Sequence, residues 1–330
     1  MKSFYYLLAC VILICTQEVY GQQLSQFSQY LHNSILLNPA TTGINDNLDI
    51  NLSYRDQWAG FEDAPSTYYL SVDAVLFRMQ KKSAALRLSR PGYTTVRTSK
   101  NRLKHGIGGY VIADNNGPFV KTSGYLTYAL HTALYKKINI SVGVALGMSN
   151  WKFDDGKIIL TDLTDETYNY FLQDPSKSYL DFNPGIWLYS ESFYIGYSSA
   201  QIFQNQIYST DIPSEAKLNV HHFFTAGYQF KLNEDLALIP SFLIKYMRPT
   251  PVSYDFNLKL DYQKKIWGGF SYRHKDAIIG LIGFTISDLV SICYSYDYTL
   301  SGISNYTSGS HEIVLGIKLL KESKSTISFL

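Results

Sequence analysis

The chain has 330 residues, of which 46% are hydrophobic, 15% aromatic and 17% charged, and its formal net charge is +2. A typical soluble domain is about 25% charged, so charge is sparse here, whereas aromatic residues, 28 of them tyrosine, are abundant. This apolar content excludes a disordered protein, and the near-neutral charge gives no support to nucleic-acid binding. After the first residues no run of roughly 18 apolar residues occurs, which excludes a helical membrane protein.

The amino terminus has the pattern of a secretory signal peptide. Lys2 is followed by an apolar stretch at residues 4–14 that is too short to span a membrane. Residues 19–21 then supply small or tolerated side chains at the cleavage positions. We therefore expect residues 1–21 to be removed and the chain to be exported.

After residue 22 the dominant pattern is an alternation of apolar and polar residues, which is the period of a β-strand. In residues 252–262, for example, apolar and aromatic residues alternate with Ser, Asp, Asn and Lys. A strand places the two sets on opposite faces, whereas a helix would scatter them around its axis. The alternation predicts about fourteen strands, near residues 48–54, 67–77, 105–113, 124–135, 138–147, 179–189, 192–199, 221–231, 235–246, 252–262, 265–273, 277–286, 290–297 and 310–319.

Alternation is common to soluble and membrane β-proteins, but three further features favour a membrane barrel. Fourteen strands exceed what most twisted open sheets hold. Tyr246 and Tyr262 lie at strand ends, where an interfacial girdle is expected. The polar faces carry small residues such as Gly143 and Ser295, which suit a crowded interior. The predicted fold is an all-β transmembrane antiparallel β-barrel of about 14 strands over residues 48–319, with its apolar face toward lipid.

Connection lengths predict the orientation of this barrel. If both termini are periplasmic, the short connections near 136–137, 191, 232–235, 263–264 and 287–289 become periplasmic turns. The long connections at 55–66, 151–178, 201–220 and 300–309 become extracellular loops.

One periplasmic connection, residues 78–104, is long and contains nine basic residues and no acidic one. Removing these nine from the total of 29 leaves 20 basic against 27 acidic residues elsewhere, so the near-neutral total conceals a basic segment. The segment is either a solvated loop or a docking site for an acidic periplasmic partner or the cell wall. The docking hypothesis assigns the contacts to Lys81, Lys82, Arg87, Arg90, Arg97, Lys100, Arg102 and Lys104.

Residues 22–47 do not alternate. Leu24, Phe27 and Leu31 follow helical spacing, and the Asn38-Pro39 step ends a helix because proline disfavours the helical conformation of its predecessor. We expect a short amphipathic helix that enters the periplasmic mouth and partly plugs the lumen. Residues 320–330 form a C-terminal tail.

Several short motifs occur in order along the mature chain. They are Gln26-Phe27-Ser28-Gln29-Tyr30, Asn38-Pro39-Ala40 with Gly43, Tyr54-Arg55-Asp56-Gln57-Trp58, Ala64-Pro65-Ser66-Thr67, Asp114 with Gly117-Pro118, Phe193-Tyr194-Ile195-Gly196, Tyr294-Ser295-Tyr296-Asp297-Tyr298 and Gly309-Ser310-His311-Glu312-Ile313. Together they resemble the PorP/SprF family, which consists of outer-membrane proteins of the type IX secretion system in Bacteroidetes. The basic insertion at residues 78–104 is longer than this resemblance leads us to expect.

The resemblance implies a barrel that binds, helps export or anchors a secreted protein, such as a gliding-motility adhesin, at the cell surface. The implied partners are a cargo protein with a C-terminal sorting domain, periplasmic components of the same secretion system, and outer-membrane lipid. Two interpretations of the stretch at residues 54–58 stay open. Trp and Arg are favoured at protein–protein interfaces, which fits partner binding. The same stretch also fits an aromatic residue at the membrane interface with an Arg–carboxylate pair at a strand end. The predicted partner-binding residues are Tyr54, Arg55, Gln57, Trp58, Pro65, Phe27, Gln29, Asn38, Pro39, His311 and Glu312.

No catalytic, cofactor-binding or metal-binding set is predicted. Neighbouring residues on a strand point to opposite faces, so neither His311-Glu312 nor His221-His222 converges on one substrate or metal ion. The stretch at residues 106–109 (Gly-Ile-Gly-Gly) lacks the third glycine of a dinucleotide fingerprint and is expected to allow tight packing in the barrel wall. Cys293, the last thiol after signal removal, is expected to be a small buried side chain in a strand. We therefore expect a non-enzymatic protein without a cofactor.

Two other functions stay open on the sequence. The first is a porin or transport barrel that passes small solutes through an open lumen, and the second is a structural surface protein without transport. A large steady conductance in planar bilayers would indicate the porin.

Overall fold

The computed structural model describes residues 24–80, 102–135, 137–158, 168, 172, 175–205 and 218–319. The predicted signal peptide, the predicted C-terminal tail and most of the basic segment (residues 81–101) lie outside these ranges. Over the described ranges the chain forms fifteen β-strands and four short 3-10 turns. None of the helices described is long and apolar enough to cross a membrane.

The strands agree with the fourteen predicted from alternation. They are β1 Leu48–Asp56, β2 Ser66–Gln80, β3 Arg102–Asn116, β4 Phe119–Tyr135, β5 Ile138–Phe153, β6 Ser176–Tyr189, β7 Phe193–Ala200, β8 His221–Tyr228, β9 Phe230–Lys231, β10 Leu236–Met247, β11 Ser253–Tyr262, β12 Ile266–Arg273, β13 Ala277–Thr285, β14 Val290–Thr299 and β15 Ser310–Leu319. Because β8 and β9 both pair with β10 and are separated only by Gln229, they count as one interrupted strand.

The sheet is a closed antiparallel barrel of fourteen strands. Each strand pairs with its neighbour in sequence, and β1 pairs with β15 from Leu48 opposite Leu319 to Asp56 opposite His311. The remaining seam is closed by the pairing of β10 with β11. Closure leaves no exposed sheet edge, which is a requirement for a sheet in hydrocarbon.

The two faces of the wall are inverted relative to a soluble protein. On β5, Val142 and Leu146 are 53% and 55% exposed on the outer face, whereas Ser141 and Ala145 are fully buried. The same division holds around the barrel, because exposed Leu, Ile, Phe and Tyr alternate with buried Ser, Thr, Asn and Asp. An apolar exterior around a polar interior is the arrangement of a transmembrane barrel, as predicted.

The connections lie at two ends of the barrel, here called the turn end and the loop end, and the loop end holds longer connections together with the short turns at residues 117–118 and 274–276. The turn end contains residues 190–192, 232–235, 263–265 and 286–289, and the loop end contains residues 57–65, 201–220, 248–252 and 300–309. The bounds predicted for the basic connection were too wide, because β2 continues to Gln80 and β3 begins at Arg102, with Arg78 paired to Lys104. The Lys104 ammonium donates to the Ile44 carbonyl at 2.7 Å, inside the barrel.

The amphipathic helix predicted within residues 22–47 is not confirmed over residues 24–47, the part that the structure describes and that is here called the N-terminal segment. The segment has only two 3-10 turns, Ser34–Leu36 and Pro39–Thr41. The second turn is capped by Asn38, whose Oδ1 accepts from the Ala40 N–H at 3.0 Å. The segment lies inside the barrel, where its backbone groups find partners on the wall and need no helical hydrogen bonds.

Candidate functional site

The N-terminal segment runs through the barrel interior from the loop end to the turn end. At the loop end the Ser25 hydroxyl donates to Asp114 Oδ2 at 2.9 Å. Midway, the Asn33 amide donates to Ser71 Oγ at 2.8 Å. Near the turn end the Gly43 N–H donates to Asp73 Oδ2 at 2.7 Å. The described chain therefore starts near the loop end, although β1 begins at the turn end.

Three wall glycines allow the segment to lie directly against the strands. A Cβ on Gly106 would collide with the carbonyl of Thr42, and one on Gly143 would lie 2.5 Å from the backbone of Ala40. A Cβ on Gly185 would collide with the side chain of Asn38. The tight packing predicted for the glycines of β3 is confirmed: Gly106 lies against the segment, whereas a Cβ on Gly108 or Gly109 would meet Asp73 or Tyr125 of the neighbouring strands.

Asn38 and Pro39, predicted to bind a partner, lie in this contact. Asn38 Nδ2 donates to the carbonyls of Ile186 and Tyr197, each at 3.1 Å, so one side chain joins β6 to β7. Pro39 packs beside Gly143. Both residues are buried, and in this conformation their contacts are within the chain.

A buried charge cluster holds the segment at the loop end. The Arg55 guanidinium pairs with Asp297 Oδ2 at 2.8 Å and with Glu312 Oε2 at 3.3 Å. Ser28 lies among these groups, because its hydroxyl accepts from Arg55 at 2.9 Å and donates to Asp297 at 2.6 Å. The Ser28 N–H donates to Glu312 Oε2 at 2.7 Å. Strands β1, β14 and β15 are thereby tied to the segment.

The cluster continues across the interior to β10, β11 and β12. Arg273 lies 3.6 Å from Asp297 and 3.4 Å from Asp255, which also pairs with Lys245 at 3.1 Å. Arg273 Nη1 also donates to Gln26 Oε1 at 3.2 Å, a second tie to the segment. With Arg55, Glu312 and Asp276, which lies 3.4 Å from Arg273, the cluster holds three basic and four acidic side chains, so its formal charge is −1.

A second feature of the loop end is a pair of connections that hydrogen-bond to each other, residues 57–65 and 300–309, here called the loop pair. The Ala59 N–H donates to the Gly309 carbonyl at 2.7 Å, and the Ser308 N–H donates back to the Ala59 carbonyl at 2.9 Å. Trp58 lies at the base in a left-handed conformation (φ 57°), and its N–H donates to Ser310 Oγ at 3.0 Å. Phe61 and Tyr306 are 48% and 71% exposed on the loop pair.

Comparison with known proteins identifies the family. A family model described as "Type IX secretion system membrane protein PorP/SprF" matches residues 19–317. The chain belongs to the PorP/SprF family. The resemblance seen in the short motifs is thus confirmed, and this PorP/SprF protein is an outer-membrane β-barrel associated with type IX secretion.

Solved structures of other barrels are similar to this PorP/SprF chain at low identity. The toluene transporter TbuX of Ralstonia pickettii matches with 9% identity and a TM-score of 0.48, covering 88% of this chain and 93% of its own. A Pseudomonas aeruginosa FadL homologue matches with 10% identity and a TM-score of 0.43, covering 90% and 94%. Comparison with curated proteins finds no match.

The predicted partner-binding residues of the PorP/SprF chain fall into three places. Arg55 and Glu312 are 2% and 0% exposed in the charge cluster, and Phe27, Gln29, Asn38 and Pro39 are also buried in the interior. Tyr54 lies on the outer face against Tyr68, with ring centroids 4.8 Å apart. His311 lies there too, bonded to the Tyr294 hydroxyl at 2.7 Å. The remaining three, Gln57, Trp58 and Pro65, belong to the loop pair.

In the structure, the two residues of each adjacent pair that was rejected as a catalytic or metal site, His311-Glu312 and His221-His222, face opposite sides of the wall. His311 and Glu312 face opposite sides of β15, as predicted. His222 stacks on Tyr197 and Tyr246 of the outer face, whereas His221 points inward. Cys293 is buried in β14, as expected, with its sulfur 3.9 Å from His32 Nδ1 of the segment.

Phe61 and Tyr306 of the loop pair were missed by the sequence reasoning, and so was the role of Ser28. The exposed aromatics have a visible signal, because each occurs in a predicted extracellular loop. Ser28 has none. Its position between Arg55 and Asp297 depends on where the segment lies in the closed barrel.

Proposed function

We propose that this PorP/SprF protein is a non-enzymatic outer-membrane barrel that binds a secreted partner at the cell surface and helps to export or anchor it. The expected partner is a cargo protein with a C-terminal sorting domain, and periplasmic components of the secretion system are expected to bind the turn end. Family membership supports a role in type IX secretion. The observation that best supports partner binding is the structure of the loop pair.

The loop pair has the properties of a preformed protein-binding surface. Two backbone hydrogen bonds between Ala59 and its neighbours across the pair restrict both loops before any partner arrives. Restricting a loop in advance reduces the entropy lost on binding. Phe61 and Tyr306 extend from this base into solvent, and aromatic residues are enriched among those that dominate binding free energy.

The interior supports binding over the open-porin alternative. The N-terminal segment contacts residues of strands distributed around the barrel, including Ser71 on β2, His131 on β4 and Ser198 on β7. A chain that crosses the interior and bonds to so many strands occupies space that a wide solute channel would need. The buried charge cluster helps to attach the N-terminal segment to the wall, and this supports a structural role for Arg55.

The test removes both exposed aromatics of the loop pair, Phe61→Ala with Tyr306→Ala. The tagged barrel is purified from detergent-solubilised outer membrane, and bound proteins are identified by mass. We expect recovery of a secreted protein with a C-terminal sorting domain to fall at least about tenfold, because hot-spot aromatics contribute about 2 kcal/mol or more.

The matched control removes two aromatics of similar exposure near the turn end, Phe230→Ala with Tyr262→Ala, each 50% exposed. Both double variants must retain the heat-modifiable migration of a folded barrel. Unchanged recovery with the loop-pair variant, or an equal loss with the control, would rule out the loop pair as the partner-binding surface.

A further inference from the structure

The outer face of the wall carries a connected group of polar and aromatic side chains at the loop end of β7, β8 and β10. Ser199, His222 and Tyr246 lie opposite one another on these three strands. The His222 ring stacks on Tyr197 and on Tyr246, with ring centroids 6.1 and 5.9 Å apart and interplanar angles of 14° and 21°. Arg248, which follows β10 at the loop end, donates from Nε to the Tyr246 hydroxyl at 3.1 Å. These five residues are here called the outer-face row.

The hydrogen bonds within the outer-face row leave donors of two side chains unused. The Ser199 hydroxyl donates to the Tyr197 hydroxyl at 3.1 Å, so the Tyr197 hydrogen is available for His222 Nδ1 at 2.9 Å. A neutral imidazole whose Nδ1 accepts carries its proton on Nε2. Within the described ranges, neither His222 Nε2 nor Nη1 and Nη2 of the exposed Arg248 has a hydrogen-bond partner, and Arg248 forms no ion pair. The row therefore presents N–H donors and one positive charge.

Toward the middle of the barrel the same face becomes apolar. Phe224 follows His222 on this face of β8, and Phe242 precedes Tyr246 on this face of β10. The two phenyl rings pack with centroids 5.8 Å apart, and both remain more than a third exposed. The stretch from Phe242 to Arg248 spans roughly 20 Å along the strand at about 3.3 Å per residue, and half the hydrocarbon core of a bilayer is about 15 Å thick. The face thus changes from apolar to cationic over the thickness of one leaflet.

A lipid with a phosphate headgroup has the same order of parts as this face. In the leaflet next to the loop end, its chains would contact Phe224 and Phe242, and its headgroup would lie level with Arg248. A guanidinium binds phosphate oxygens through charge-assisted hydrogen bonds, often in pairs. The Tyr246 hydroxyl already holds this guanidinium against the wall, which reduces the entropy lost on binding. A cationic headgroup would instead be repelled by Arg248.

We propose that the outer-face row binds the phosphate group of a lipid in the leaflet next to the loop end. Arg248 and His222 Nε2 donate to the phosphate oxygens, and the chains lie on Phe224 and Phe242. The row lies on β7, β8 and β10, whereas the loop pair follows β1 and β14. The site therefore stands whether or not a secreted protein binds the loop pair.

The experiment compares two lipids with the same two oleoyl chains, one with a phosphate and one without it: phosphatidic acid and dioleoylglycerol. The full-length mature chain is purified in detergent, and native mass spectrometry counts the lipid molecules bound to each barrel as the lipid concentration rises. We expect phosphatidic acid to bind at least about tenfold more tightly than dioleoylglycerol, because hydrogen bonds to charged groups are stronger than neutral ones.

Three variants locate the phosphate. Arg248→Gln should weaken phosphatidic acid about tenfold and leave dioleoylglycerol unchanged, because the guanidinium contacts only the phosphate. His222→Phe keeps a stacked ring but removes the Nε2 donor, and should weaken phosphatidic acid about threefold. Lys152, exposed on the outer face near the loop end of β5, is the matched control, and Lys152→Gln should change neither affinity. All three residues lie on the surface, so each variant should keep heat-modifiable migration.

Inorganic phosphate distinguishes a lipid site from a site for the free anion. A large excess should displace little phosphatidic acid, because inorganic phosphate has no chains to contact Phe224 and Phe242. Displacement as effective as that by unlabelled phosphatidic acid would overturn the lipid assignment. The proposal also fails if dioleoylglycerol binds as tightly as phosphatidic acid, or if Arg248→Gln behaves like Lys152→Gln.

Discussion

Replacing Arg55 by methionine tests whether buried charge fixes the N-terminal segment in this PorP/SprF barrel. The guanidinium is 2.8 Å from Asp297 and 3.3 Å from Glu312, and all three side chains are at most 2% exposed. Methionine fills most of the same volume but leaves two carboxylates without their shared cation. Removing one partner from a buried ion pair costs about 3–5 kcal/mol, and we expect the free energy of unfolding to fall by that amount.

The assay is a urea titration of the purified barrel in detergent, followed by heat-modifiable migration. Lys137 and Glu191 form an ion pair of the same 3.3 Å length as Arg55–Glu312, but these side chains are 78% and 69% exposed. Lys137→Met should have little effect, because exposed pairs are screened by solvent. Adding Glu312→Gln to Arg55→Met restores the original net charge of the cluster and should recover part of the loss. Equal losses for the two single variants would refute the reasoning.

Two other predictions concern the segment. Gly106→Ala should cost about 1–3 kcal/mol of unfolding free energy by displacing the segment, whereas Gly280→Ala, with open space around its Cβ, should leave the urea midpoint nearly unchanged. In intact cells an impermeant thiol reagent should label Ser25→Cys but not Asn45→Cys, because the segment begins at the loop end and finishes at the turn end; the reverse pattern would contradict the path.

Much of the wall was predictable from local pattern. Alternation is a property of single strands, and a membrane barrel requires it on every strand because one face meets lipid and the other the interior. Arg55 and Glu312 fall on the polar faces of their strands, so even their inward direction follows from position relative to Tyr54 and Ile313. The glycines of β3 likewise predicted close packing, although not what packs there.

The N-terminal segment shows where local pattern misleads. Leu24, Phe27 and Leu31 have helical spacing, yet the segment has only 3-10 turns, because its backbone groups bond to side chains from several strands. Such partners exist only after the barrel closes around the segment.

The amino-acid sequence by itself determined the inverted barrel, its strand positions and its family, since each depends on residues close together in the chain. Only the tertiary structure decided that Ser28, Arg55, Asp297 and Glu312 meet. The residues of that cluster are separated by up to 284 positions. Closing the barrel fixes which inward side chains stand opposite each other, and no periodicity within one strand contains that information.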